Sequence, residues 1–193
     1  MSELSKDEIV KAEILNAATR AFRKWGFNKT TMEDIAREAG KGKSTLYYYY
    51  VSKEEIFEIL ATNEMKSISK RAKEEVSKLD SYKEKLKKYI AISLAELKKT
   101  AGAYPVIRGE IKTDKEFFDK IRRQLDAGEE AIVMEILKGG IEQGEFRFLK
   151  RSELKKAANV IVGIIRGLEL YLFVEIDDSQ KVDIATKLIA EGL

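Results

Sequence analysis

The sequence contains no cysteine and no histidine among its 193 residues. The absence of cysteine excludes disulfide frameworks and thiolate zinc sites, and the absence of histidine excludes histidine metal ligands and catalytic triads with a histidine base. Carboxylate metal sites and acid–base pairs of Asp or Glu stay open. The sequence has one proline, Pro105. Because proline is the strongest helix breaker, long uninterrupted helices are allowed.

Long hydrophobic runs are also missing. The longest apolar region, residues 160–174, is interrupted by Arg166 and Glu169 and is too short and too charged to span a bilayer. The first eight residues are polar and partly acidic, whereas an export signal begins with a basic stretch that leads into an apolar one. We therefore expect a cytoplasmic protein that has no membrane partner.

The small net charge of +3 is unevenly distributed. Residues 1–53 contain ten Lys or Arg and seven Asp or Glu, whereas the remaining residues contain 26 of each kind. The whole excess of positive charge therefore lies in the first quarter of the chain. Such an asymmetry favours a polyanionic partner for the N-terminal segment.

The hydrophobic pattern is helical almost throughout. Apolar residues at positions 14, 17, 18, 21, 22 and 25 follow the spacing of one helix face, and Gly26 is placed to end that helix. The helix-start pattern S/T-x-x-E begins at Ser5, Thr30, Ser52, Ser81 and Thr113. The sequence therefore predicts an all-α protein with about nine helices, at residues 7–25, 32–39, 43–50, 53–78, 82–101, 104–111, 115–141, 152–174 and 179–190. Glycines between residues 139 and 144 are predicted to stop the seventh of them.

Residues 30–53 carry the most specific pattern. A short helix ends at Gly40, a tight turn follows, and a second short helix begins near Lys43, which is typical of a helix-turn-helix unit. The second helix of such a unit enters the major groove of DNA. Leu46 and Tyr50 lie four residues apart and are expected to face the core. The opposite side then presents a lysine, a serine and two tyrosines, which are side chains that contact phosphates and, for lysine, guanine.

Residues 9–58 resemble the N-terminal domain of the TetR family of bacterial transcriptional repressors. The run from Thr31 to Gly40, the run from Thr45 to Tyr50 and the run from Ser52 to Glu55 are specific for that family. Further matching residues are Ala17, Ala18, Phe22, Gly26, Lys43 and Phe57. The sequence departs from the family pattern at Lys41, where an apolar residue is usual, at Gly42, where serine is frequent, and at Tyr50, where phenylalanine is common.

The resemblance implies a helix-turn-helix DNA-binding domain at residues 1–52 and a ligand-binding and dimerisation domain at residues 53–193. It implies a homodimer that binds double-stranded DNA at a palindromic operator and is released by a small-molecule effector. By residue, it implies phosphate contacts at Thr31 and Lys53 and DNA-facing positions along the second helix. Lys41 is a further candidate phosphate contact. The predicted DNA-binding residues are Thr31, Lys41, Gly42, Lys43, Ser44, Thr45, Tyr47, Tyr48, Tyr49 and Lys53.

Two further sites are predicted in the C-terminal part. Aromatic, Met and Arg side chains are candidates for an effector pocket, namely Met65, Tyr89, Tyr104, Phe118, Arg122, Met134 and Tyr171. Gly163 and Gly167 lie on one face of the eighth predicted helix, and glycines in a helix interior indicate close packing. This packing is either internal to the subunit or part of a dimer interface, and the need to pair DNA half-sites favours the interface. The predicted interface residues are Asn159, Gly163, Gly167, Val182, Ala185 and Ile189.

Two other functions stay open at this stage. A helical interaction protein without a DNA role would not need a basic, tyrosine-rich second helix after a glycine turn. An all-α enzyme that uses carboxylates would need an acidic pair on one helix face. The adjacent pair Glu129-Glu130 does not converge, because neighbouring helix residues point about 100° apart. The sequence therefore predicts a regulator and not an enzyme, with no metal or cofactor.

Overall fold

The computed structural model describes residues 5–103, residues 115–175, and Ile184 and Leu188. Side chains are described for residues 5–96 and 116–168 and for those two C-terminal residues. The described part of the chain is helical and contains no strand, which confirms the predicted all-α class. Its seven α-helices and one 3₁₀ turn (Arg151–Glu153) are α1 (Lys6–Trp25), α2 (Met32–Glu38), α3 (Lys43–Tyr49), α4 (Lys53–Ser77), α5 (Tyr82–Ala103), α6 (Lys115–Glu142) and α7 (Leu154–Glu175).

The starts of these helices follow the predicted ones closely. The helices predicted at residues 104–111 and 179–190 lie outside the described residues, except that Ile184 and Leu188 are helical. None of the described helices is long and apolar enough to cross a membrane.

Two of the predicted helix-start patterns, at Ser5 and at Thr30, have different outcomes in the structure. Ser5 and Glu8 form the reciprocal capping box expected at the start of α1. At α2 the cap is Thr31 with Asp34, one residue later than the predicted pair that begins at Thr30. The reason is that Thr30 is buried and its hydroxyl donates to the Gly26 carbonyl at 2.5 Å. The pattern that begins at Thr113 lies outside the described residues.

The patterns at Ser52 and Ser81 are only half realised. The Ser52 hydroxyl accepts the Glu55 amide at 3.2 Å, but the Glu55 carboxylate accepts from the amide of Val51. At α5, the hydroxyl of Ser81 donates to the carboxylate of Glu145 at 2.7 Å. The same hydroxyl accepts the Glu84 amide at 3.4 Å, and the Glu145 carboxylate accepts the amides of Tyr82 and Lys83, so Glu145 contributes to the cap of α5.

The chain forms two compact units, which are Met1–Glu64 with Gly102–Ile121 and Met65–Ala101 with Arg122–Leu193. The first unit packs its helices around an apolar cluster that includes the fully buried Ile14, Ile35 and Leu46. Five phenylalanines form aromatic contacts in the same cluster, namely Phe22, Phe27, Phe57, Phe117 and Phe118. The expected division of function between residues 1–52 and 53–193 stays a prediction.

The second unit packs the C-terminal part of α4 together with α5, α6 and α7 around a separate apolar cluster. Its fully buried members include Leu86, Ile90, Val133, Leu137 and Ile165. The amphipathic pattern of each helix accounts for this core, because the buried positions recur every three or four residues.

The seventh predicted helix ends within one residue of its predicted end at residue 141, and Gly144 is the glycine that stops it. Helix α6 continues through Gly139 and Gly140 to Glu142. Both glycines make room for aromatic rings, because a Cβ at Gly139 would overlap Tyr82 and one at Gly140 would overlap Phe146. The chain leaves the helix at Gly144, whose φ of 73° is a left-handed conformation that favours glycine.

Candidate nucleic-acid interface

The interface is built on α2, α3 and the turn between them, all of which lie in the first unit. Gly40 ends α2 with a φ of 64°, and the Lys41 amide then donates to the Ala36 carbonyl at 2.9 Å. This hydrogen bond closes the last turn of α2 in the way that a left-handed C-terminal glycine allows. Gly42 follows in extended conformation and begins α3. The sequence Gly40-Lys41-Gly42 therefore folds as the tight turn of a helix-turn-helix unit.

Helix α3 turns one face into the core and one face outward. Leu46 is fully buried and Tyr50 is 5% exposed, which confirms the expected inward face. Burial raises the pKa of the Tyr50 phenol. On the outward side Tyr47 is 44% exposed and Tyr48 is 77% exposed, which excludes a core role for these two rings.

The remaining predicted DNA-binding residues at the start of α3 also lie at the surface. Lys43 and Ser44 are exposed, and Gly42 is exposed beside them. Thr45 and Lys41 are half-buried. A cation, a hydroxyl and two phenols thus occupy one continuous outward face of α3, which is the chemistry that contacts a phosphate backbone and base edges.

Tyr49 needs a correction, because the prediction placed it on the outward face. The structure places it half-buried against the core cluster of the first unit, where its hydroxyl donates to the carboxylate of Asp7 in α1 at 2.8 Å. This hydrogen bond raises the pKa of the Tyr49 phenol. The cause is helix geometry, since Tyr49 lies three residues after Leu46 and therefore shares its face.

The start of α2 lies next to this surface. Thr31 is exposed, and its hydroxyl accepts the amide of Asp34 at 3.1 Å while the Asp34 carboxylate accepts the amide of Thr31 at 3.0 Å. The Thr31 hydroxyl also donates to the Asp34 carboxylate at 2.7 Å, and this hydrogen bond, together with the one from the Thr31 amide, holds the pKa of Asp34 below its usual value. A cleft of about 320 Å³ brings Thr31, Tyr47 and Lys53 together. The other residues that line it are Asn28, Thr30, Met32, Val51, Ser52 and Glu54.

Both lysines of the turn region have acidic partners. Lys43 forms an ion pair with Glu33 of α2, and its ammonium group lies 5.8 Å from the centre of the Tyr47 ring. The hydrogen bond between the two side chains lowers the pKa of Glu33 and raises the pKa of Lys43. Lys41 pairs with Glu13 of α1 at 2.8 Å. A DNA phosphate would therefore replace a carboxylate at each of these cations.

Lys53, the first residue of α4, has partners that the sequence did not predict. Its ammonium group donates to the main-chain carbonyls of Phe27, Asn28 and Thr30 at 2.8, 3.1 and 3.0 Å. The predicted phosphate contact at this residue stays a prediction.

The predicted effector-pocket residues are divided between the two units, and their role stays a prediction. Tyr89 is buried in the core of the second unit and Met134 packs against that core, whereas Phe118 belongs to the aromatic cluster of the first unit. Met65 and Arg122 are half-buried. Tyr104 and the side chain of Tyr171 lie outside the described residues.

The second unit also contains partly buried ion pairs that sequence reasoning missed. The guanidinium group of Arg166 pairs with Asp126 at 2.6 Å and with Glu129 at 2.8 Å. Arg71 pairs with Glu96 at 2.7 Å. The i, i+3 spacing of Asp126 and Glu129 was the available signal, because it places both carboxylates on one face of α6.

The predicted dimer face is open in the described residues. A Cβ added at Gly163 or Gly167 would meet no atom of the described residues within 4 Å. Val160 and Ile164 on the same face are 58% and 42% exposed. Asn159 donates to Glu130 at 2.7 Å. Val182, Ala185 and Ile189 lie outside the described residues.

Comparison with known proteins now gives the family. A model of the bacterial regulatory proteins of the tetR family matches residues 14–60. The regulator QacR of Staphylococcus aureus is 30% identical over 163 residues, which cover 81% of this chain and 84% of that protein. The regulator YhgD of Bacillus subtilis is 39% identical over 64 residues, which cover 33% of this chain and 34% of that protein.

A solved structure gives the same fold. FadR of Bacillus subtilis, in complex with stearoyl-CoA, matches with a TM-score of 0.74 and 24% identity, over 94% of this chain and 98% of that chain. The match to QacR extends far beyond the helix-turn-helix unit, and the surface of α3 has the chemistry that such a unit requires. The chain therefore belongs to the TetR family of DNA-binding transcriptional regulators.

Proposed function

We propose that this regulator is a repressor that binds a palindromic operator as a homodimer and leaves it when a small-molecule effector binds. The observation that supports the proposal most directly is the outward face of α3, where Lys43, Ser44, Tyr47 and Tyr48 lie exposed while Leu46 is buried. A short, exposed helix with these side chains fits the major groove. The excess of positive charge in residues 1–53 favours the same polyanionic partner.

Within this surface we assign separate roles to the residues. Lys43, Ser44, Tyr47 and Tyr48 are proposed to contact base edges and phosphates from α3. Thr31 and Lys41 are proposed to contact the phosphate backbone on either side of it. Gly42 and Thr45 are proposed to let the backbone approach the DNA closely at the start of α3.

A homodimer is proposed from the exposed face of α7. Val160 and Ile164 expose large apolar side chains on the same face as the open Gly163 and Gly167. Two other large apolar side chains, Ile184 and Leu188, are 55% and 72% exposed. Apolar surface of this kind is typical of an interface between subunits. In this arrangement the two α3 helices of a dimer read two half-sites of one operator.

The effector is proposed to bind in the C-terminal part and to favour a conformation with lower affinity for the operator. Stearoyl-CoA is the first compound to test, because the structurally similar FadR was solved in complex with it. We further propose that the protein acts by binding alone, in the cytoplasm, and catalyses no reaction.

The test is a mobility-shift assay on the DNA upstream of the protein's own gene. We expect the unmutated protein to bind, and Lys43→Ala and Tyr48→Ala to lose binding while circular dichroism shows intact helices. Lys70→Ala removes an exposed lysine from α4 and serves as the matched control that retains binding. Affinity should fall steeply as the salt concentration rises. Unchanged binding by both α3 variants would show that α3 is not the recognition helix.

The same assay separates the rival functions. A helical interaction protein or an enzyme has no reason to bind this duplex, and neither would depend on Lys43 or Tyr48. Addition of stearoyl-CoA tests the effector in a second step. DNA binding without the compound tests α3, and release of the bound DNA when the compound is added tests for an effector site in the C-terminal part.

A further inference from the structure

The ammonium group of Lys53 is surrounded by main-chain oxygen atoms. The carbonyls of Phe27, Asn28 and Thr30 accept hydrogen bonds from it at 2.8, 3.1 and 3.0 Å. The same group lies 4.6 Å from the centre of the Phe27 ring, which is close enough for a favourable cation–π interaction. Lys53 is therefore bound to a single short segment of chain, the turn between α1 and α2.

These contacts use the full donor capacity of the side chain. A lysine ammonium group has three N–H donors and no acceptor, and here each donor has one carbonyl partner. Hydrogen bonds from a charged donor are about twice as strong as those between neutral groups. A phosphate could bind Lys53 only if one or more of these bonds were broken first.

The segment that Lys53 holds leads directly into the candidate interface. Thr30, one of the three acceptors, is followed by Thr31, which caps α2 and is a proposed phosphate contact. The hydroxyl of Thr30 in turn donates to the Gly26 carbonyl. Lys53 thus connects the first residue of α4 to the end of the turn from which α2 begins.

We propose that Lys53 is a positioning residue that holds the start of α2 in place for DNA binding and does not itself contact a phosphate. The inference rests on the proposed function, because it assigns Lys53 a role in the same interface. It differs from the prediction made by family resemblance, in which Lys53 is a phosphate contact. Without the ammonium group, the partly buried carbonyls of Phe27 and Thr30 lose their charged partner, and the turn should relax.

The two roles differ in the salt dependence of DNA binding. The slope of log K against log salt falls in magnitude by about 0.9 for each phosphate contact that is lost. We would measure this slope for the unmutated protein, Lys53→Met and Lys43→Met, by fluorescence anisotropy on the upstream duplex and on a random-sequence duplex. We expect Lys43→Met to lower the slope, and Lys53→Met to weaken binding about tenfold while leaving the slope unchanged.

A second measurement uses the free protein and needs no DNA. The amides of Thr31, Asp34 and Ile35 donate hydrogen bonds within the first turn of α2. We expect their hydrogen exchange to be faster in Lys53→Met than in the unmutated protein. Lys29→Met removes an exposed lysine from the same turn and is the matched control, for which exchange should not change.

Lys53→Arg retains the positive charge and gives a third test that distinguishes a positioning role from a phosphate contact. A planar guanidinium group does not reproduce the three convergent donors of an ammonium group. We therefore expect Lys53→Arg to show faster exchange at the start of α2 and weaker DNA binding, whereas a phosphate contact would be retained by arginine. If circular dichroism shows that Lys53→Met does not fold, Lys53→Arg is compared with the unmutated protein in its place.

The outcomes decide between the roles. A lower salt slope for Lys53→Met, or unchanged exchange at the start of α2 in both Lys53 variants, would overturn the proposal. If the unmutated protein binds neither duplex, the proposed function fails, and the exchange measurement still tests whether Lys53 positions α2.

Discussion

Helix α6 contains three glycines in different surroundings, and alanine at each position tests the packing of the second unit. A Cβ added at Gly128 would meet no described atom within 4 Å, whereas one at Gly140 would overlap the ring of Phe146. Alanine is favoured over glycine in a helix interior by about 1 kcal/mol. We therefore expect Gly128→Ala to raise the free energy of unfolding by about that amount.

Gly140→Ala should have the opposite effect. Phe146 is fully buried, so its ring cannot move aside without losing part of its burial. Burying a phenylalanine side chain contributes about 1.5–3 kcal/mol, and overpacking a core costs about 1–3 kcal/mol. After the helix-propensity gain of about 1 kcal/mol is subtracted from the overpacking cost, we expect Gly140→Ala to lower the free energy of unfolding by up to about 2 kcal/mol.

Gly139→Ala should lie between the two. The added Cβ would overlap the outer part of the Tyr82 ring, and Tyr82 is half-buried, so this ring can move toward solvent at a smaller cost. Urea denaturation followed by circular dichroism measures the three variants under identical conditions. Equal stability of Gly140→Ala and Gly128→Ala would refute the argument, because the two substitutions differ only in what surrounds the new methyl group.

Three further predictions concern the dimer, the interface and the cap of α5. If the protein forms the proposed homodimer, Gly167→Arg should convert it to monomers in sedimentation, whereas Gly128→Arg, at a glycine of α6 that is also open among the described residues, should leave it dimeric; a dimeric Gly167→Arg would remove this face from the proposed interface. Glu33→Gln should raise affinity for the upstream duplex, because it removes the carboxylate that competes with phosphate for Lys43; an unchanged or lower affinity would contradict this. Backbone amides at the start of α5 lower the pKa of Glu145, so its stabilising contribution is complete above the unfolded pKa and is lost as pH falls through the lower folded pKa. Glu145→Gln should therefore destabilise the protein at neutral pH and reduce the loss of stability on acidification. Parallel curves of the free energy of unfolding against pH for both proteins would contradict a stabilising cap by Glu145.

The parts of the structure that were predictable depend on residues close together in the sequence. The cap of α1, the glycine turn after α2 and the inward face of α3 follow from spacings of three or four residues. Leu46 and Tyr50 are buried as expected, and Tyr47 and Tyr48 are exposed. The family resemblance rests on the same local runs.

The parts that were not predictable depend on long-range contacts. The Glu145 carboxylate caps α5 from more than sixty residues away, accepting from the amides of Tyr82 and Lys83 at 2.9 and 3.0 Å. Tyr49 pairs with Asp7 across 42 residues, and Lys53 reaches back 23–26 residues to its carbonyl partners. A pattern of three or four residues identifies a group that could cap a helix, but the tertiary structure determines which group does so.

The acidic partners of the N-terminal lysines change how the positive charge of that segment is interpreted. Lys43 pairs with Glu33 and Lys41 pairs with Glu13, so these two proposed DNA contacts are locally neutralised in the free protein. Exposed ion pairs of this kind contribute little to stability, and a phosphate can therefore replace the carboxylate readily. The carboxylate then remains beside the DNA and repels it. Affinity in this interface should thus depend more on the acidic neighbours of the lysines than on the net charge of +3, and for that reason Glu33→Gln tests the electrostatics more directly than the addition of a remote positive charge.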